Sequence, residues 1–155
     1  MKLLSIDPGL TGAIALFEDG VCVDVMPMPW MWITKSKKKK KVINVPELDS
    51  MFRIVNPNMV VIEKVHAMPG NGATSMFSFG YAYGVVVAMS WAHCSKVLDA
   101  TPQEWKKHHN LIGSEKKEAT ILAKKLCTHV TSSGKADAYL IGVYALQSGL
   151  CTLKQ

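Results

Sequence analysis

No uninterrupted apolar run in this 155-residue chain approaches the roughly 18 residues a membrane span requires. The longest, at residues 84–91, is closely followed by His93. The opening Met1-Lys2-Leu3-Leu4-Ser5-Ile6-Asp7 reaches a charge before a secretory apolar core could form. The expectation is a soluble, intracellular protein. The four cysteines, Cys22, Cys94, Cys127 and Cys151, contain no CxxC pair, so zinc-finger and thioredoxin-like chemistry has no basis. Without a secretion signal they read as free, small apolar side chains. The histidines show no metal-ligand spacing, and His108-His109 is expected on the surface. Acids are few, 12 against 18 Lys+Arg. A content of 48% hydrophobic and 19% charged residues excludes global disorder, and the length suits a single core.

The positive charge is concentrated in one place. Lys35, Lys37, Lys38, Lys39, Lys40 and Lys41 fall within seven residues, and outside them the balance is 12 basic against 12 acidic. Mutual repulsion predicts an exposed loop, an insertion at about 28–44. Such a block is either a solubilising loop or a contact with a polyanion, and Trp30 and Trp32 beside it favour nucleic acid.

Hydrophobic patterning predicts three short strands at 2–6, 13–17 and 21–25, the last two joined at Asp19-Gly20, a tight hairpin signal. Pro46 suits the first turn of a helix at 45–55, which Asn56-Pro57-Asn58 ends. A buried strand at 59–62 closes at Glu63, and a second short strand lies at 96–98. The apolar segment 73–91 is too long for a strand and reads as a buried helix; Gly80 and Gly84, four apart, permit close packing against another element. Thr101-Pro102 starts a short helix reaching His108, Ser114-Glu115 precedes a helix to Leu126, and Gly134-Lys135-Ala136-Asp137 opens the last one. Hairpin strands followed by alternating helices and strands predict one α/β domain with a mixed sheet covered on both faces.

Three of the 12 acids stand where core elements end: Asp7 after the first strand, Glu63 after the fourth, Asp137 in the first turn of the last helix. Each is flanked by apolar residues, where an isolated carboxylate is costly to desolvate. Singly, Asp7 could cap the Asp7-Pro8-Gly9 turn and Asp137 could be an ordinary first-turn acid. Glu63 has no local capping duty. Brought together, the three would form an all-oxygen site suited to Mg²⁺ or Mn²⁺.

The segment Ile6-Asp7-Pro8-Gly9-Leu10-Thr11-Gly12-Ala13-Ile14-Ala15 resembles the opening motif of RuvC-type Holliday-junction resolvases of the ribonuclease H-like superfamily. Later segments follow in the same order. Val61-Ile62-Glu63 precedes a Gly/Ala-rich helix. Thr101-Pro102-Gln103-Glu104-Trp105-Lys106-Lys107 and Gly113-Ser114-Glu115-Lys116 are similar to lysine-bearing segments, and Lys135-Ala136-Asp137-Ala138 to the closing helix motif. The resemblance spans nearly the whole chain and suits a phage or viral stand-alone protein as well as a bacterial one, in the cytoplasm of a bacterium or of a virus-infected host cell, with an organellar origin also open. It implies a five-stranded sheet, a homodimer, Mg²⁺-dependent paired nicking of four-way DNA junctions, a role in recombination and repair, and Asp7, Glu63 and Asp137 as metal ligands. Two departures stand out. The family usually carries a further acid or histidine three residues before the Asp of the last helix, and that position here is Gly134. The lysine loop replaces a short connection.

Two metal ions held by carboxylates would activate a water and neutralise the phosphate, with Lys106 first and Lys116 second as candidates to stabilise the transition state. Met76, Phe77 and Phe79, in the segment 69–79, are candidates for stacking on unpaired bases, or else belong to a core or dimer face. The alternatives are a junction-binding protein of the same fold with weak cleavage, a related nuclease acting on RNA–DNA hybrids or flaps, and an actin-like nucleotide-binding domain, for which 155 residues cannot supply two lobes.

Overall fold

The computed structural model describes residues 1–35, 38–66, 70 and 72–152. β1 (Lys2–Asp7), β2 (Ala13–Glu18) and β3 (Val21–Pro27) form an antiparallel meander, and β6 (Met59–Glu63) and β7 (Val97–Ala100) extend it in parallel. The spatial order is β3-β2-β1-β6-β7, so β1 is central. The helices are α1 (Val45–Val55), α2 (Ala73–His93), α3 (Pro102–His108), α4 (Lys116–Leu126) and α5 (Ser133–Gln147).

The two-residue period of the strands separates two cores. Leu3, Met59 and Val61 face α3, α4 and α5 in a cluster with Trp105, Ala123 and Leu140. Leu4, Ile6, Val60 and Ile62 face the other way, onto Leu48 and Phe52 of α1 and Ala82 and Val86 of α2. The sheet is therefore mixed and covered on both faces, as the sequence predicts.

Local chemistry sets the helix ends. The Asn44 side chain accepts from the Glu47 amide, Pro46 occupies the first turn of α1, and Asn56 ends it in a left-handed conformation at φ 48°. Thr101 and Glu104 form a reciprocal capping box on α3, with Pro102 in its first turn.

Three expectations need correction. The lysine segment is not a loop: β4 (Trp30–Lys35) and β5 (Lys38–Ile43) pair antiparallel as a separate two-stranded ribbon. β-formers at Trp30, Trp32, Ile33, Val42 and Ile43 favour strands. Alternation also sends successive lysines to opposite faces, which eases their repulsion. Second, α2 is a helix but not a buried one. Ala82, Val86 and Ser90 are buried, while Phe77, Tyr81 and Trp91 are exposed. Beyond their own helix turn, no described atom lies within 4 Å of where a Cβ would stand on Gly80 or Gly84, so among the described residues neither packs against another element. Apolar length marks a helix without saying which face is covered. Third, His109 is half-buried beside the Leu140 carbonyl at 2.8 Å, and burial lowers its pKa; His108 is exposed. Among the described residues no helix is long and apolar enough to cross a membrane.

Candidate active site

Asp7 and Glu63 are the last residues of β1 and β6. The parallel register runs from Leu3 opposite Met59 to Ile6 opposite Ile62, so its next step sets Asp7 beside Glu63. Both continue the alternation of Leu3 and Ser5, and of Met59 and Val61, and so point to the α5 side of the sheet. Asp137 comes from the N-terminal part of α5, which is docked directly on β1. The buried Ser5 hydroxyl donates to the Ala138 carbonyl at 2.7 Å, one residue from Asp137.

Two glycines permit this approach. A Cβ on Gly12 would stand 2.2 Å from the Asp7 carbonyl oxygen, and one on Gly134 would stand 2.2 Å from the Thr11 carbonyl oxygen. The start of α5 is thus pressed onto the turn that follows Asp7. The absence of an acid at position 134 has a local reason: any side chain there meets main chain.

The electrostatics match a crowded acidic site. Burial raises the Asp7 pKa, opposed by a 3.3 Å hydrogen bond from the Gly9 amide and by the Lys116 charge. Burial, reinforced by Asp7 and Asp137, pushes Glu63 up to about 7 against the opposing hydrogen bond from Trp105 and the charge of Lys106. Burial and then Asp7 push Asp137 up to about 6, while Lys116 and Lys106 oppose the rise. The Lys116 ammonium lies 4.0 Å from Asp137 Oδ2. Asp7, Glu63, Asp137, Lys106 and Lys116 therefore share one electrostatic neighbourhood.

A cleft of about 670 Å³ lies beside it, lined by Glu63, Trp105, Lys106, Lys116 and Asp137 and by Met76 and Phe79 of α2; Asp7 is not among the lining residues. Phe77 is outside this lining and 74% exposed. Lys38, Lys39, Lys40 and Lys41 lie apart, on the ribbon. Lys37 and the Lys35 side chain fall outside the described residues, as do Met68, Pro69 and Asn71 of the loop before α2.

Trp105 and His66 are polar cleft residues to which the sequence assigns no role. Trp105, fully buried, donates its indole N–H to Glu63 Oε1 at 2.9 Å. The available signal was physical: a buried tryptophan needs an acceptor. His66 also lines the cleft, three residues beyond Glu63.

Among the described residues no group of three or more His, Cys, Asp and Glu side chains is drawn close enough to enclose an ion. The donor chemistry nevertheless fits a hard divalent cation. The donors are carboxylate oxygens that repel one another, and Mg²⁺ commonly takes one or two carboxylates and fills its shell with water and phosphate oxygens.

No family model matches the sequence, and no curated protein sequence matches it. Solved structures do match. Thermus thermophilus RuvC in complex with a Holliday junction substrate superimposes with a TM-score of 0.61 at 14% identity, covering 96% of this chain and 97% of that one. A second structure of Thermus thermophilus RuvC gives a TM-score of 0.57 at 17% identity with the same coverage. The likeness shows the fold, a ribonuclease H-like mixed α/β sheet.

Proposed function

We propose that the chain is a divalent-metal-dependent endonuclease that cuts branched DNA, four-way junctions above all, by paired symmetric nicks. The observation that carries this reading is the convergence of Asp7, Glu63 and Asp137, with Lys106 and Lys116, at one end of a ribonuclease H-like sheet. The structural neighbour bound to a Holliday junction supports the choice of substrate.

In this reading Asp7, Glu63 and Asp137 would hold the cation, Mg²⁺ with Mn²⁺ as substitute, with water and phosphate oxygens completing its shell. When bound, it supplies an activated water and neutralises charge on the scissile phosphate. Asp7 ends the central strand, its backbone paired to β2 and preceded by the β1–β6 ladder, and would be the most firmly positioned of the three. Trp105 fixes one Glu63 oxygen, which would leave the other to face the cation. Lys106 and Lys116 stand near the carboxylates with their charges available to the phosphoryl group as negative charge grows. Met76 and Phe79, in the lining of the same cleft, offer apolar surface to an unstacked base, and Phe77 is exposed outside it.

Paired nicks require two copies. The open side of α2 supplies a surface for a homodimer: Phe77, Gly80, Tyr81, Gly84 and Ala88 recur at helical spacing and are exposed. The small residues would let a second helix approach closely.

The test is nicking of a synthetic four-way junction in Mg²⁺, beside linear duplex and an RNA–DNA hybrid, with Asp7→Asn protein and a Ca²⁺ lane. Paired cuts confined to the junction and lost in Asp7→Asn support the reading. Tight junction binding without cuts would move the function to binding, in keeping with the glycine at 134. Cutting of the hybrid alone would replace the substrate.

A further inference from the structure

The ribbon β4–β5 is built differently from the rest of the molecule. No acid occurs between Asp24 and Glu47, and the entire excess of positive charge lies in this stretch. Its register sets Trp32 opposite Lys41 and Thr34 opposite Lys39, while Ile33 faces Lys40 and Lys35 faces Lys38. Partners directly opposite share a face. One face therefore carries Trp30, Trp32, Lys39 and Lys41, and the other Met31, Ile33, Lys38 and Lys40. Both are open to solvent, with Trp32 at 54% and Ile33 at 37% exposure. The Lys41 ammonium sits 3.7 Å from the Trp30 ring centroid, so aromatic and cation are already joined on the first face.

The ribbon's position is also specific. Across the sheet Asp7 pairs with Ala13 and Ala13 with Pro27, so β3 hands the chain to the ribbon at the same end of the sheet as the carboxylates. The Met28 amide donates to the Gly12 carbonyl at 3.1 Å, and the Asn44 amide to the Pro29 carbonyl at 3.0 Å, which closes the base. Two strand spacings separate β3 from β1, about 10 Å, and six residues of strand extend about 20 Å further.

We infer that this ribbon is a grip for a double-stranded arm: it enters a groove of duplex nucleic acid, with Lys38 and Lys40 reaching phosphates on one wall and Lys39 and Lys41 on the other. Its place beside the active end rests on the proposed nuclease function; duplex binding does not. The major groove, about 12 Å wide, admits a two-stranded ribbon. A cationic surface on both faces suits a slot whose two walls are anionic, whereas a flat contact would need only one. The apolar residues lie toward the base and the charges toward the tip. That order opposes insertion into a bilayer, which would require an apolar tip.

The experiment measures binding of the full-length protein to a 20-base-pair duplex and to a four-way junction in EDTA, as a function of salt. Each double variant, Lys38→Gln/Lys40→Gln and Lys39→Gln/Lys41→Gln, should make the slope of log K against log salt shallower by about 2, and the quadruple variant by about 4, at close to one released ion per phosphate contact. Thermal melting should be unchanged, since all four side chains are exposed. A change in only one double variant would overturn groove entry, and no change in either would overturn the grip. Ribbon-dependent flotation with phosphatidylserine vesicles, with unaltered DNA slopes, would replace it by a membrane contact. Because EDTA prevents cutting, a failed nicking assay alongside the expected slopes would sink the nuclease reading alone.

Discussion

The Trp105 indole donates to Glu63 across 42 positions of sequence, joining α3 to the end of β6 at 2.9 Å. Trp105→Phe keeps the aromatic packing and removes the donor. A hydrogen bond to a charged group contributes about 1.5–3 kcal/mol, so Glu63 should titrate above its present value of about 7. The Mg²⁺ concentration for half-maximal nicking at pH 7 should rise about tenfold or more, a factor set by the same hydrogen bond. A Mg²⁺ titration and carboxyl NMR of Glu63 check both. Trp105→Ala would instead cost about 3–5 kcal/mol of stability by cavity formation.

Stability of the metal-free protein should fall as pH rises through the acid range. Glu63 is raised from 4.5 to about 7 and Asp137 from 3.8 to about 6, so between those limits the folded chain binds more protons than the unfolded one. The slope of unfolding free energy with pH is then negative. This destabilisation is absent below about pH 3, half developed for Glu63 at about 7, and complete only above about pH 8. Urea titrations in EDTA at pH 4, 5.5 and 7 should show the decline, and Glu63→Gln should flatten it. Added Mg²⁺ should restore more stability at pH 7 than at pH 5; equal shifts at both would contradict the picture.

Replacing Gly134 by Asp, which restores the acid usual in resembling proteins, should damage this chain. The new Cβ meets the Thr11 carbonyl at 2.2 Å, a main-chain obstacle that cannot rotate away. Overpacking of this kind costs about 1–3 kcal/mol, and Gly134→Ala should cost nearly as much. Chemical denaturation of both variants measures it, and a more stable or more active Gly134→Asp protein would refute the contact.

Lys116 is well exposed, so Lys116→Ala should leave the melting temperature within a degree or two. Its effect belongs on Asp137, whose pKa should rise once the opposing charge is gone. Nicking should weaken most on the acid side of the pH profile. Lys106→Ala should act on Glu63 as well, because Lys106 opposes the rise of both carboxylates.

If the exposed stripe of α2 forms the proposed homodimer, Ala88→Glu should leave the fold intact and separate its two copies. Light scattering should report a mass near 17 kDa instead of twice that value. Paired nicks should give way to single ones.

Much of this structure was legible in the residues. Strand ends, proline and Asn/Thr caps and the turn at Asp19-Gly20 act over a few positions, so α1 appears with its expected bounds and β1, β2 and β6 with one residue added. Asp7, Glu63 and Asp137 stood out because a carboxylate beside a buried strand or helix is an expensive placement. The ribbon did not, because like charges in sequence suggest repulsion, and only strand pairing separates them onto two faces. Nor did the partner of Trp105, since a contact over 42 positions leaves no trace in local pattern. The open side of α2 was misread for a similar reason: composition records how apolar a helix is, not what covers it.

The press of α5 onto the Thr11 carbonyl has one more consequence. The gap between the elements that carry Asp7 and Asp137 is gauged by main-chain atoms on one side and by a hydrogen in place of a side chain on the other. At this one point the gauge does not depend on which side chains surround it. Farther along α5 it does, because the Ser5 hydroxyl and the Phe17 ring also hold the helix against the sheet, so the spacing of the carboxylates has one main-chain stop and several side-chain ones.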